Sequence, residues 1–184
     1  MGKKAAVVFV IVMAITHLIK AQIYIANACE ITFFSPTSIE DIAAKNTVTK
    51  PLLNVQTGDF QMKIPMISFI FDKPLMQEHF NENFVETEKF PYCFFKGKIN
   101  EKIDVTKDGQ YEVTSTGVLT IHGIDKERTI TGTLTIKNAE ITLSSKFNIL
   151  FADHNIKIPA LYSGIFPSDT EVKFTATLLP YKKN

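Results

Sequence analysis

A period of two constrains this chain more than any other feature. Tyr111, Val113, Ser115, Gly117, Leu119 and Ile121 are apolar or small, with mostly polar residues between them. Ile141, Leu143, Ser145, Phe147, Ile149 and Phe151 repeat the pattern. Alternation of this kind marks strands with one face inward. Each run lasts about eleven residues, where a typical strand has about five or six. Shorter runs carry the same signature: Cys29–Ile31–Phe33, Phe60–Met62–Ile64, then Ile67–Phe69–Phe71 after Pro65. Cys93–Phe95–Gly97–Ile99 and Val172–Phe174–Ala176–Leu178 complete the set. Turn residues separate the strands at Thr57-Gly58-Asp59, Lys107-Asp108-Gly109, His122-Gly123-Ile124-Asp125 and Lys137-Asn138-Ala139. Long, regularly spaced antiparallel strands in a domain of this size fit a closed or nearly closed barrel. Gly97, Gly117 and Gly132 lie inside strand patterns, where glycine marks a bend or a close backbone approach.

One segment breaks the period. Pro74 suits a first helical position. Met76, Phe80 and Phe84 then recur every four residues and stack on one helix face. Glu78, Glu82 and Glu86 recur with the same spacing, offset by two, and point the opposite way into water. A turn or two of helix here would lay Met and Phe over the barrel. A second short helical turn is expected over Ile39 to Lys45, with Ser38 as its N-cap.

The first residues have the layout of a secretory signal peptide: Lys3 and Lys4, then an apolar run from Ala5 to Ile19, then Ala21. As a membrane anchor the run is short, since a spanning helix needs about 20 apolar residues. We place the signal at residues 1–21 and one mature domain at 22–184, exported to the periplasm. Ala26-Asn27-Ala28 before Cys29 offers a lipoprotein alternative, weakened by its distance from the apolar run. Removing residues 1–21 takes Lys3, Lys4 and Lys20 and no acid, leaving 17 basic against 19 acidic residues. Such a domain lacks the clustered cations that nucleic acid or anionic lipid surfaces demand. No nucleic-acid partner is expected, and no stable membrane span after cleavage. A homodimer is left open. Cys29 and Cys93 would either form a disulfide in an oxidising compartment or stay as buried thiols.

The chain carries no Gly-x-Ser-x-Gly, no His-Glu-x-x-His, no phosphate-binding glycine loop and no paired-cysteine spacing. His79, His122 and His154 are far apart in sequence, reading as residues near the helix, in a tight turn and in a loop. Ser115 and Ser163 have no base beside them. No catalytic residue, metal or cofactor is expected. The apolar pattern is stronger. Eight of the fifteen phenylalanines lie between Phe60 and Phe95. Inward positions mix Phe and Met with Ser115, Gly117, Ser145 and Ala176, and large residues beside small ones leave room for a cavity. On composition alone, a packed core in which Phe replaces the absent Trp stands slightly ahead, because aromatics are core residues by default.

Several pieces in order resemble the bacterial YceI-like family. They are Ile31-Thr32-Phe33-Phe34-Ser35, Leu75 to Asn83, Glu88-Lys89-Phe90-Pro91 leading to Phe95-Lys96-Gly97, and Gly117 to Gly123. The resemblance implies an all-β fold: a lipocalin-like, eight-stranded antiparallel barrel with one or two short helices near the mouth. It also implies periplasmic export, no enzymatic activity, and a polyisoprenoid or related lipid held in the barrel. Better-described members often carry a histidine soon after the first strand, and later an arginine followed by an aromatic-glycine pair. This chain has Asn46-Thr47-Val48-Thr49 and Asp153-His154-Asn155-Ile156 in those regions, which marks a divergent branch.

The expected function is therefore non-enzymatic carriage or sequestration of a long apolar ligand. Inward parity or helix face selects Phe60, Met62, Phe69, Phe71, Met76, Phe80, Phe84, Phe95, Phe147 and Ile149 to line or cover the pocket. A periplasmic interaction module with a filled barrel is the alternative. A lipid hydrolase or isomerase ranks last, with only Ser115, Ser145 and His79 as interior polar groups.

Overall fold

The computed structural model describes residues 23–160 and 164–181. Their strands are β1 (Ile23–Ser35), β2 (Ile42–Asn46), β3 (Leu52–Asn54), β4 (Asp59–Pro65) and β5 (Ile70–Phe71). After a helical segment come β6 (Tyr92–Ile99), β7 (Gly109–Ile121), β8 (Ile124–Lys137), β9 (Glu140–Leu150) and β10 (Asp169–Pro180). Eight of them close an antiparallel ring in the order β1-β3-β4-β6-β7-β8-β9-β10 and back to β1. The closing ladder runs from Tyr24 opposite Pro180 to Phe34 opposite Glu171. β2 continues the lane of β3 along the later half of β1, and β5 pairs with β2. The proposed signal peptide lies outside the described residues.

The period of two dictates which side chains enter the ring. Phe60, Ile64, Cys93, Phe95, Ile99, Val113, Leu119, Val172 and Phe174 are all buried. One parity shift was not legible in the pattern. Ala26 pairs with Leu178 and Ala28 with Thr177, so Asn27 is the extra residue of a β-bulge. The bulge lets Ala26 and Cys29, three apart, both face inward. At one end Tyr24, Leu53, Leu134, Ile136, Ile141 and Leu178 are at most 2% exposed and plug the barrel. At the other end gather the β1–β2 connection, residues 66–91, the β7–β8 turn and the segment after β9.

The strand glycines serve close approaches. Gly97 and Gly117 face each other across β6 and β7, where a Cβ on Gly117 would lie 2.3 Å from Gly97 Cα and from the Lys96 carbonyl. The β8–β9 ladder stops at Gly132 opposite Ser145. A Cβ on Gly132 would sit 2.6 Å from the Ser144 carbonyl. Beyond that point the two strands diverge, and side chains replace the ladder. Ser145 Oγ donates to the Thr131 carbonyl at 2.6 Å, and Arg128 donates to the Asn148 carbonyl at 2.7 Å. The two-residue turns at His122-Gly123 and Asn138-Ala139 have positive φ at both corners, the geometry that matches strand twist.

Two expectations fail locally. Ile39 to Lys45 is not helical: Ile42–Asn46 is β2, paired to β1 from Ile31 to Ser35. The backbone ladder with β1 overrides the helix propensity of Ala43-Ala44. Ser38 caps nothing. Instead Thr37 Oγ1 accepts from the Ile39 and Glu40 amides and donates to the Glu40 carbonyl, closing a turn before the strand. In the Ile67–Phe69–Phe71 run, Met66–Ser68 forms a 3-10 turn. This buries Met66 and leaves Ile67 58% exposed, while Phe69 and Phe71 keep their inward places.

An apolar cavity under a helical flap

The helical segment has the expected start and an unexpected end. Pro74 opens a short α-helix, α1 (Pro74–His79). The chain then widens into one π-helical turn, Phe80–Phe84, in which the Val85 amide donates to the Phe80 carbonyl. Met76, Phe80 and Phe84 still face the barrel and pack on its core. Glu86 leaves the helical face, correcting its assignment to an acidic stripe. It takes φ 46° and its carboxylate meets His122 Nε2 at 2.9 Å. Hydrogen bonds from Lys89 first and His122 second hold its carboxyl below the usual range.

His122 ties the flap to the barrel rim. Its Nδ1 lies 3.2 Å from the His154 carbonyl, and its ring packs on Phe90 at 4.3 Å. His154 is not a loop residue in water but fully buried, in the 3-10 turn Phe151–His154. Its Nδ1 donates to the Ile124 carbonyl at 3.2 Å. Burial pushes its pKa below the ordinary histidine value.

Beneath the flap lies a cavity of about 530 Å³. All ten residues singled out from the sequence stand on its wall: Phe60, Met62, Phe69, Phe71, Met76, Phe80, Phe84, Phe95, Phe147 and Ile149. At the flap, Phe80 stacks on Phe33 at 5.4 Å and meets Phe71 at 5.0 Å and Phe69 at 5.8 Å. Phe84 stacks on Phe166 at 5.5 Å. Deeper, Phe60 meets Phe174 at 6.0 Å and Phe95 at 6.2 Å. Phe33 and Phe174 were not selected, although both hold the inward parity of their strands. Phe166 follows no strand period and carried no signal.

The wall reaches the surface at Ile39 and Leu75, which are 77% and 60% exposed. Lys73 and Glu40 form an ion pair at this mouth. Among the described residues, the only other charged or titratable lining groups are His79, from α1, and Cys93. Cys29 and Cys93 are both buried free thiols. Burial pushes each up to about 12, helped at Cys29 by the neighbouring Glu30 carboxylate, so neither is a nucleophile at neutral pH. Ser145 spends its proton on the Thr131 carbonyl, and Ser115 Oγ is shielded from water with no partner. Ser163 lies outside the described residues. Among the described residues, no group of three or more His, Cys, Asp or Glu could hold a metal.

A closed eight-stranded antiparallel barrel with an apolar interior and a helical flap defines a lipocalin-like architecture. The chain belongs to the YceI-like family: residues 26–178 match the YceI-like domain. Solved structures agree on the fold. One is a polyisoprenoid-binding domain from Saccharophagus degradans, implicated in plant cell wall breakdown. It is 14% identical with a TM-score of 0.75, over 88% of this chain and 100% of that one. Burkholderia cenocepacia BcnA is 16% identical with a TM-score of 0.68, over 81% and 95%. A Campylobacter jejuni YceI protein is 17% identical with a TM-score of 0.54, over 81% and 85%. At such identities the likeness shows the fold and nothing finer. No curated protein matches the chain.

Proposed function

We propose that this protein binds and carries a long apolar ligand, a polyisoprenoid or related lipid, in the barrel without chemically altering it. The observation that carries this reading is the cavity, about 530 Å³ lined almost throughout by aromatic and aliphatic side chains and continuous with the surface at Ile39 and Leu75. Each buried methylene contributes about 0.8 kcal/mol, so an apolar chain gains affinity without polar contacts. A filled interaction module fits a hollow barrel poorly. The polyisoprenoid-binding description of the Saccharophagus degradans domain points the same way. Membership of a family of generally non-catalytic binding proteins favours binding over turnover.

The site of action we propose is the periplasm, after loss of residues 1–21. Cleavage before Cys29 would remove Tyr24 and Ala26, which are buried in β1 against β3 and β10; this favours the earlier cut. Two measurements test the reading. Protein purified from its native host, extracted with organic solvent, should release an apolar chain detectable by mass spectrometry. No released lipid, together with no binding of added isoprenoids, would reject it. N-terminal sequencing of the exported protein should begin at Gln22.

A further inference from the structure

The lower part of the cavity holds a hydroxyl that the fold leaves unused. Ser115 stands on β7 one inward position above Val113, the deepest lining residue of that strand. Its Oγ is screened from water and has no hydrogen-bond partner. Its cross-strand partners, Ile99 and Ile130, are apolar. A buried hydroxyl left unpaired is costly, and folded proteins rarely keep one without a reason. Rotation about χ1 between staggered wells turns such a hydroxyl from the wall toward the space it borders.

The charge layout separates the two ends of the cavity. Lys73, Glu40 and His79 lie on the flap and the β1–β2 connection at the mouth, while among the described residues no charged side chain lines the deep end. A carboxylate or phosphate placed there would lose its hydration with no counter-charge. A purely apolar end would leave the Ser115 proton unmet. A carbonyl oxygen or a hydroxyl satisfies both conditions.

Resting on the carrier reading above, we propose that the cavity takes its ligand with a neutral, hydrogen-bond-accepting end group innermost, bound by the Ser115 hydroxyl. Volume bounds the rest of the ligand. A cavity of about 530 Å³ lies within the range of pockets that take a small-molecule ligand, about 300–1,000 Å³. An isoprenoid ketone or alcohol of three to four units is a ligand of that class, and a longer chain emerges between Ile39 and Leu75.

The test compares two probes of this size on the mature protein. One is farnesylacetone; the other is its hydrocarbon analogue, with a methylidene carbon in place of the carbonyl oxygen. Comparing the change for each probe between wild type and variant cancels their different solubilities in water. Ser115→Ala should weaken farnesylacetone about fivefold and leave the hydrocarbon unchanged, while Ser115→Thr should retain ketone affinity. In the wild-type complex the infrared carbonyl band should move to lower wavenumber, as it does for a hydrogen-bonded ketone. Where Ser115→Ala does not fold, the near-isosteric Ser115→Cys, a weaker donor, should move the band back toward that of the free ketone; a band unmoved by this change overturns the proposal. Equal losses for both probes, or an unshifted carbonyl band in wild type, overturn the proposal and leave the carrier reading standing. Failure of both probes to bind wild type overturns the carrier reading and this proposal together.

Discussion

Ala139 holds the second corner of the β8–β9 turn at φ 62°, where an L side chain is strained and glycine is not. It is exposed, so nothing else depends on its methyl group. Ala139→Gly should therefore stabilise the protein by about 1 kcal/mol, read as a higher urea midpoint with unchanged slope. Gly117 is the reverse case. A methyl there would strike the Gly97 backbone at 2.3 Å. Two strands must separate to admit it, and Gly117→Ala should cost about 3 kcal/mol or more, read in the same titration. At this scale the sequence was most informative. Strand parity and one helix face picked ten side chains that the structure brings to one wall. It could not reveal the bulge at Asn27, because an inserted residue changes pairing without changing composition.

The flap shows what a single element contributes. Phe80 joins it to Phe33 of β1, to Phe71 of β5 and to Phe69 just before β5 through three ring contacts. Phe80→Ala should cost about 2 kcal/mol, below the usual range for a fully buried Phe because this ring is half-buried. It should also speed release of a bound apolar probe about tenfold, measured by stopped-flow fluorescence. The other anchor is the Glu86–His122–His154 chain. His154 is held neutral by burial, so the unfolded chain binds its proton first. Stability should fall as pH drops through about 6.5. The urea midpoint between pH 7 and 5.5 should decline less in His154→Asn, which preserves a donor toward the Ile124 carbonyl. Glu86, with its lowered pKa, adds a further loss at more acid pH. Pro74 and the four-residue spacing of Met76, Phe80 and Phe84 made the flap legible. The π turn did not follow from them, because a fifth residue in one turn leaves no mark on an apolar repeat. Ile39 to Lys45 was misread for a related reason: alanines favour a helix locally, and only the partner strand, far away in sequence for β5, decides otherwise.

For the whole molecule, the long alternating runs announced a barrel, and the ring closes with eight strands. The hollow was harder to foresee. Composition fits a packed core as well as a cavity, and the difference lies in how inward residues stack by level. On β7, β8 and β9 the large residues Leu134, Ile136 and Ile141 fill one end, while Ser115, Gly132 and Ser145 stand above them and leave space. Register between strands sets those levels, and register is a property of pairs.

Closure of β1 onto β10 has one more consequence. The Tyr181 amide donates to the Ile23 carbonyl at 2.7 Å, so the first and last described strands end side by side. The barrel is a closed cycle of pairings, parted at one end where β8 and β9 diverge. A circular permutant that joins residue 181 to residue 23 through a short linker, and opens the exposed turn at residues 138–139, should keep every ladder. We expect it to fold and to bind the same apolar probe with unchanged affinity, because the position of the chain ends is immaterial to what a closed ring encloses.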